Sequence, residues 1–341
     1  MTRFAKFVST SIAFLLSASI VAAQTPNRLT VMTYNVENFF DAEDDPRYPN
    51  DRETINSTEI VAAKATAIAR VISRFDGGDG PDVLVLTEIE SQTALSALLS
   101  ALPNASEYQT EVFFDADPTQ PAPKPDFRGI EVAILAKLPL ADGSVPRSHV
   151  IDLTAEPACN ADDGSLGSTR DALQADLSLP DGSLLSVLGV HFPSGTNPTV
   201  CREIAATTMR DIANDIDADR TVLIAGDFNF NCRDDEQAAL RAIFHSWTLP
   251  MQLDNGCVGN GSQWFSRENT WSYLDVIAER PGAPVWSTDM RTFRLVINDF
   301  EQFFYQDSIH NLRPKKFRLN RSNPENSGTS DHFPVAVDLT R

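Results

Sequence analysis

The chain has 341 residues, 42 % hydrophobic and 22 % charged, a globular composition that excludes collagenous, low-complexity and disordered proteins. Its formal net charge is −19, and a surface of that sign repels nucleic-acid backbones at long range, which argues against a passive DNA-binding protein. An enzyme that holds a divalent cation against a phosphate stays allowed, because the ion supplies local positive charge.

In chain order, MTRFAKFVSTSIAFLLSASIVAA reads as a Sec-type signal peptide. Arg3 and Lys6 precede an apolar core, and Val21-Ala22-Ala23 forms the cleavage site; the run is too short and wrongly flanked to span a membrane. No cysteine follows the core, so a lipoprotein is not expected. Removal of residues 1–23, which carry two cations and no acid, takes the charge to −21. The expectation is a single domain over 24–341, secreted or periplasmic, monomeric and without stable membrane insertion.

Leu29–Tyr34 reads as a first strand, and the acidic run Asp41–Asp51 as a solvated loop without the spacing of a calcium hand. A helix is expected from Asn56, which with Glu59 makes a capping-box-like start; Ile60, Val61, Ile68, Val71, Ile72 and Phe75 share one face. Asp76–Pro81 is a turn, and its glycines precede a strand rather than follow one, unlike a dinucleotide loop. Asp82–Ile89 is a buried strand and Ser91–Ala101 a helix. Strands follow at Tyr108–Phe114, Ile130–Leu135, His149–Leu153, Leu173–Leu179 and Leu184–Val190, then a helix at Cys201–Ile216. The run TVLIAGDFNF carries a strand at Val222–Ala225, and Gly226 there permits a bend or a close approach. The last strands are expected at Tyr273–Ala278, Val285–Trp286 and Phe333–Val337. Mixed strands with few helices predict a large α/β (α+β) domain with two sheet layers.

Four cysteines, Cys159, Cys201, Cys232 and Cys257, follow the signal in a chain bound for an oxidising compartment. Three pairings are possible; proximity favours Cys159–Cys201 and Cys232–Cys257. No C-x-x-C pair points to zinc.

Polar residues collect at the ends of apolar strands. Asn35 ends the first, Glu88 and Glu90 the second; His191 ends LLSVLGVH, and Asp227 and Asn229 end TVLIAGDFN. Asp275 sits inside an apolar run, and Ser330-Asp331-His332 precedes the last strand. Each alone has a bland reading: a turn, a cap, an Asx-turn or a loop-edge histidine. Asp275 resists it, since an unpaired buried carboxylate is costly. Six segments together imply a shared cleft.

Metal-assisted phosphoester hydrolysis fits that set. Glu88, with Asn35 and Asp331, supplies oxygen ligands of the kind a Mg²⁺-type ion takes. Such an ion polarises a phosphoryl oxygen. Asp227 suits proton acceptance from water, with Asn229 orienting the water or a phosphate oxygen. His191 and His332 suit hydrogen bonding to phosphate or proton carriage, and Asp275 or Asp331 can orient an imidazole.

The motifs resemble those of the endonuclease/exonuclease/phosphatase superfamily, whose best-known branch is deoxyribonuclease I. The segments are TYNVENFFD, TEIE, RGIEVAIL, GVHFPSG, GDFNF, SYLDVI and SDHFPV, so the resemblance spans nearly all of the mature chain and looks like a bacterial secreted branch. It implies a four-layer α-β-β-α sandwich and a divalent metal, Mg²⁺ with Mn²⁺ or Ca²⁺ as alternatives. It places Asn35 and Glu88 by the metal together with Asp331. Catalytic roles fall to His191, Asp227, Asn229, Asp275 and His332, and Arg128, Asn229 and His191 stand at the phosphate. Glu37 or Asn38 stands where some relatives carry a further acid, which leaves one or two metals open. Arg313–Arg321 (RPKKFRLNR) reads either as a phosphate-tracking segment or as a solvated basic loop.

The leading expectation is a secreted metal-dependent phosphodiesterase acting on extracellular nucleic acid. A phosphatase or phospholipase-type hydrolase of small or lipid phosphoesters uses the same residues. A non-catalytic interaction module is the third possibility. No P-loop, H-E-x-x-H or G-x-S-x-G is present.

Overall fold

The computed structural model describes residues 26–48, 54–115, 128–159, 169–231, 233–249, 261–265, 267–282, 284–297, 304–306 and 312–341. The expected signal segment, residues 1–23, and the expected Cys232–Cys257 pair lie outside them. The Cys159–Cys201 disulfide is present, its Cα atoms 5.6 Å apart.

Strand β1 (Arg28–Phe39) runs past the expected Tyr34, and helix α1 (Thr58–Ser73) follows. The cap of α1 is Ser57, whose Oγ accepts from the Ile60 N–H at 3.3 Å; Asn56 instead donates to the Phe40 carbonyl at 3.0 Å. The acidic loop between them is less solvated than expected. Asp41 and Tyr48 are buried, and Asp41 accepts from the Ser91 hydroxyl at 2.5 Å.

Then come β2 (Val83–Ile89), α2 (Gln92–Ala101), β3 (Thr110–Phe113), β4 (Glu131–Ala136) and β5 (Arg147–His149). Strand β5 ends where the expected strand His149–Leu153 begins, because Ile151 and Leu153 leave the sheet and are buried with Cys159 and Cys201. Next are β6 (Ala172–Ser178), β7 (Leu184–His191), α3 (Thr199–Asp215) and β8 (Thr221–Asp227). Helix α4 (Asp234–Ile243) is not among the expected elements, although Asp234, Asp235 and Glu236 in its first turn are a helix-start signal. The remainder is β9 (Gln263–Phe265), β10 (Thr270–Ser272), β11 (Asp275–Glu279), β12 (Ser287–Leu295), β13 (Phe304–Gln306), β14 (Leu312–Pro314) and β15 (Val335–Thr340).

Two sheets form the middle layers, in the orders β12-β15-β1-β2-β4-β3 and β11-β8-β7-β6-β5. Val31, Val85, Ile134, Val187, Leu223 and Ile277 fill the space between them. Helices α1 and α2 cover the first sheet through Ile68 and Leu95 against Leu84 and Leu86. Helices α3 and α4 cover the second through Met209 and Leu240 against Leu188 and Ile224. This is the four-layer α-β-β-α sandwich. It also explains the unbroken apolar run in β8: Val222 and Ile224 face the helices, Leu223 and Ala225 the other sheet.

Strand direction gathers the polar residues. In each sheet a parallel pair, β1/β2 or β7/β8, brings two carboxyl ends to one edge. The antiparallel partners β15 and β11 begin at that edge, so residues just before or at their starts join it.

Candidate active site

Asp227 ends β8 directly opposite His191 on parallel β7 and opposite Asp275 on antiparallel β11. Asn35 joins the two sheets at this point. Its Nδ2 donates to Glu88 Oε1 at 3.0 Å and to Asp227 Oδ2 at 2.9 Å, and its Oδ1 accepts from the Glu37 N–H at 2.9 Å.

The turn after β8 is an Asx-turn, with the Asn229 N–H on Asp227 Oδ1 at 2.9 Å. Asn229 has φ +55 and donates Nδ2 to the Phe192 carbonyl at 3.1 Å, which ties the β8 turn to the β7 loop. Gly226 allows this turn for a reason other than substrate approach. A Cβ there would lie 1.9 Å from the Val190 carbonyl oxygen, at φ +150.

Four of the six non-glycine residues with positive φ among the described residues lie here: Glu37, Asn38, Glu88 and Asn229. Irregularities in the β1/β2 and β2/β4 ladders fall at Asn35–Phe39 and Thr87–Ile89. These distortions aim side chains that a regular pleat would turn away, and such strain persists only where the surroundings impose it. The imposing contacts are visible. The Asn38 N–H donates to Glu88 Oε2 at 2.6 Å, and the Lys64 ammonium, buried under the bulge, bonds the carbonyls of Glu37 and Asn38. Arg128 reaches the Asn38 side-chain oxygen.

His332 Nδ1 lies 2.7 Å from Asp275 Oδ2, with both residues buried. Ser330 holds the approach, its hydroxyl donating to the Asn35 carbonyl at 2.7 Å and accepting from the His332 N–H at 3.0 Å. Asp331 points the other way, with its Oδ1 3.9 Å from His332 Nε2 and Lys316 on its Oδ2 at 2.9 Å; the same ammonium sits 2.7 Å from Glu37 Oε1. Lys316 thus bridges two acids.

Burial sets the protonation. It acts to lower the His332 pKa, but Asp275, then Asp331 and Asp227, override it and raise the value to about 10. Burial, then the Asp275 charge, raises Asp227 to about 7, against His332 and Asn35. Burial, then Arg170 and His332, pushes His191 well below its ordinary value, so it is neutral. Its Nε2 is 3.6 Å from Asp227 Oδ2, outside hydrogen-bond range, and its Nδ1 has no hydrogen-bond partner among the described residues.

The donor set fits a hard divalent cation. Each Glu88 oxygen takes one hydrogen bond and keeps lone pairs free, the orienting arrangement that metal carboxylates show. Nearby, Glu37 Oε2 is buried without a hydrogen-bond partner among the described residues. Donor atoms of Asp227, Asp275 and His332 also lie within 4.8 Å of one another. That second set suits a cation less well, because His332 is held protonated and already bonded to Asp275.

The structure therefore brings Asn35, Glu88, His191, Asp227, Asn229, Asp275, Asp331 and His332 to one edge, with Arg128 beside them. Sequence reasoning overlooked Lys64 and marked Lys316 only as part of Arg313–Arg321. Lys64 carries a legible mark, since it lies four residues from both Ile60 and Ile68 on an apolar stripe. Nothing in RPKKFRLNR separates Lys316 from Lys315.

No curated protein matches the sequence. Solved structures share the fold. D. rerio TDP2 complexed with single strand DNA product superposes at a TM-score of 0.57 with 16 % identity, over 93 % of this chain and 100 % of that one. An endonuclease/exonuclease/phosphatase from Beutenbergia cavernae gives 0.56 and 17 %, over 92 % and 72 %. Sphingomyelinase C from Streptomyces griseocarneus gives 0.55 and 18 %, over 92 % and 99 %. The profile of the Endonuclease/Exonuclease/phosphatase family matches residues 30–341, and the chain belongs to that family of phosphoester-hydrolysing enzymes.

Proposed function

We propose that this protein is a secreted phosphodiesterase of extracellular nucleic acid, dependent on a divalent cation with Mg²⁺ as the first choice. One observation carries the hydrolase reading: a carboxylate poised near neutrality, Asp227, stands beside a buried imidazolium, His332, whose charge Asp275 maintains. A base with a pKa near the working pH is the efficient kind, worth about 10²–10⁴-fold.

Glu88, oriented by Asn35 and Asn38, and Asp331 are the residues we assign to the cation, which when bound polarises a phosphoryl oxygen and offsets charge in the transition state. Water attacks phosphorus and Asp227 takes its proton, while the P–O bond to the ester oxygen breaks and the departing alkoxide takes a proton from solvent. Asn229, fixed by Asp227 and Phe192, orients the attacking water. His332 supplies a fixed positive charge and a donor to the phosphoryl group, neutral His191 a second donor, and Arg128 a further cation at the rim. Nucleic acid is favoured because this fold accommodates a single-stranded DNA product in the D. rerio TDP2 structure. The segment over 1–23 supports export.

The test is a panel of plasmid DNA, RNA, bis-p-nitrophenyl phosphate, sphingomyelin and inositol phosphates, assayed with Mg²⁺, Mn²⁺ or Ca²⁺ and with EDTA. We expect DNA or RNA and the small diester to be cleaved, and EDTA to stop both. Turnover of sphingomyelin or inositol phosphates alone overturns the nucleic-acid reading. No turnover with any metal overturns the enzyme reading.

A further inference from the structure

Beside the catalytic edge opens a groove of about 690 Å³, lined by Lys315, Lys316, Arg318 and Arg321, with Trp264 as an aromatic wall. Asp331 is the acid that lines it, and it is also where the groove meets the catalytic cluster. On a chain with 47 acids against 28 lysines and arginines, four cations around one carboxylate invert the local sign.

Among the described residues, two of these cations lack a carboxylate partner. Lys315 donates to the Asn326 carbonyl at 2.9 Å and to its side-chain oxygen. Among the described residues the Arg318 guanidinium has no hydrogen-bonding or ionic partner, although its backbone N–H is fixed on the Ser327 carbonyl at 2.6 Å. Arg321 pairs with Glu59 at 3.0 Å, but both side chains are exposed, where such pairs are weak and exchangeable. The loop is thus held by its backbone while its charges stay available. The volume lies within the range of roughly 300–1,000 Å³ that ligand pockets span, more than a lone phosphate requires. A bilayer surface fits poorly, since the cations line a concavity rather than flank a raised apolar edge.

We propose that this groove is the bed for the phosphates next to the scissile one in a nucleic-acid strand, with Arg318 and Lys315 as its principal contacts. The inference rests on the phosphodiesterase reading and narrows it, since a groove of this kind rewards a polyanionic chain over an isolated phosphoester.

The experiment compares wild type with a Lys315→Ala/Arg318→Ala double variant. Binding of a fluorescent oligothymidylate is followed by anisotropy in EDTA over a range of salt, so no turnover is needed. Hydrolysis of bis-p-nitrophenyl phosphate with Mg²⁺ is measured in parallel. We expect the variant to bind at least about 10-fold more weakly, with a salt slope shallower by about 1.4, roughly 0.7 for each cation withdrawn from a single-strand phosphate. Turnover of the small diester stays at the wild-type level. Unchanged oligonucleotide affinity or salt slope overturns the groove assignment, as does loss of binding to phosphatidylglycerol vesicles with oligonucleotide binding intact. If bis-p-nitrophenyl phosphate is not cleaved even by wild type, the phosphodiesterase reading fails, while the anisotropy result still decides the groove.

Discussion

His332 Nδ1 and Asp275 Oδ2 are 2.7 Å apart at the meeting point of the two sheets, 57 residues apart in sequence. Asp275 is fully buried and its other oxygen has no partner, so the imidazolium is the one hydrogen-bond donor that neutralises its side chain among the described residues. A buried carboxylate in that position is tolerated only while the pair is intact.

Asp275→Asn should therefore return His332 toward its ordinary pKa and lower diester turnover by about 10²-fold or more. Imidazole NMR titration checks the first part and steady-state kinetics the second. The sign for stability follows from the raised value. The imidazolium contribution is fully present below about pH 6.5 and is lost as pH rises through about 10. The stability gap between wild type and variant should narrow over that window. A His332 pKa still near 10 in the variant sinks the assignment to Asp275.

Asp227 leads to an opposite expectation for its removal. Its folded pKa is about 7, above the roughly 3.9 of an unfolded aspartate. The stability it lends is complete below about pH 3.9 and is lost as pH rises through 7. In EDTA at pH 8, Asp227→Asn should melt above wild type by roughly 2–4 °C, while its diester turnover falls at least about 10²-fold. Scanning fluorimetry at pH 4 and pH 8 decides the matter. A variant less stable than wild type at pH 8 contradicts the ionisation argument.

Gly226→Ala should cost about 3 kcal/mol or more, because its Cβ would meet the Val190 carbonyl at 1.9 Å in backbone that cannot yield. Gly143→Ala is the matched comparison, with φ +72 and open space around it, and should cost about 1 kcal/mol. Urea unfolding separates the two. Equal costs would show that the neighbouring strand gives way.

Lys64→Met keeps the aliphatic stem and removes the ammonium from the Glu37 and Asn38 carbonyls. The bulge it releases carries the N–H that orients Glu88. Divalent-ion affinity should drop about 10–100-fold, as when the groups that orient a metal ligand are removed. Calorimetry with Mn²⁺ measures this apart from activity, and at saturating metal the KM for the small diester should change little. Wild-type Mn²⁺ affinity in the variant removes Lys64 from this role.

Much of this site was legible one segment at a time. A buried strand that ends in Asp227 or Glu88 announces itself, because the apolar run and the polar end obey different demands in adjacent residues. The GDFNF turn shows the limit of that reasoning. Strand period alone puts Asp227 and Asn229 on one face, yet β8 stops at Asp227 and the alignment comes from an Asx-turn with Asn229 at φ +55. Strand β12 was not legible: the expected strand at Val285–Trp286 ends just before β12 begins at Ser287, and the half-exposed residues of β12 lack alternation.

Apolar strands, helix faces and the polar residues at the strand ends could be read along the chain, because each depends on neighbours a few positions away. Tertiary structure alone decided the partnerships. Asn35 meets Asp227 across 192 residues, and Lys316 meets Glu37 across 279. Those contacts follow from which strands run parallel and where their ends emerge. Protonation followed in turn, since the charge on Asp227 and His332 depends on burial and on neighbours that only the folded chain supplies.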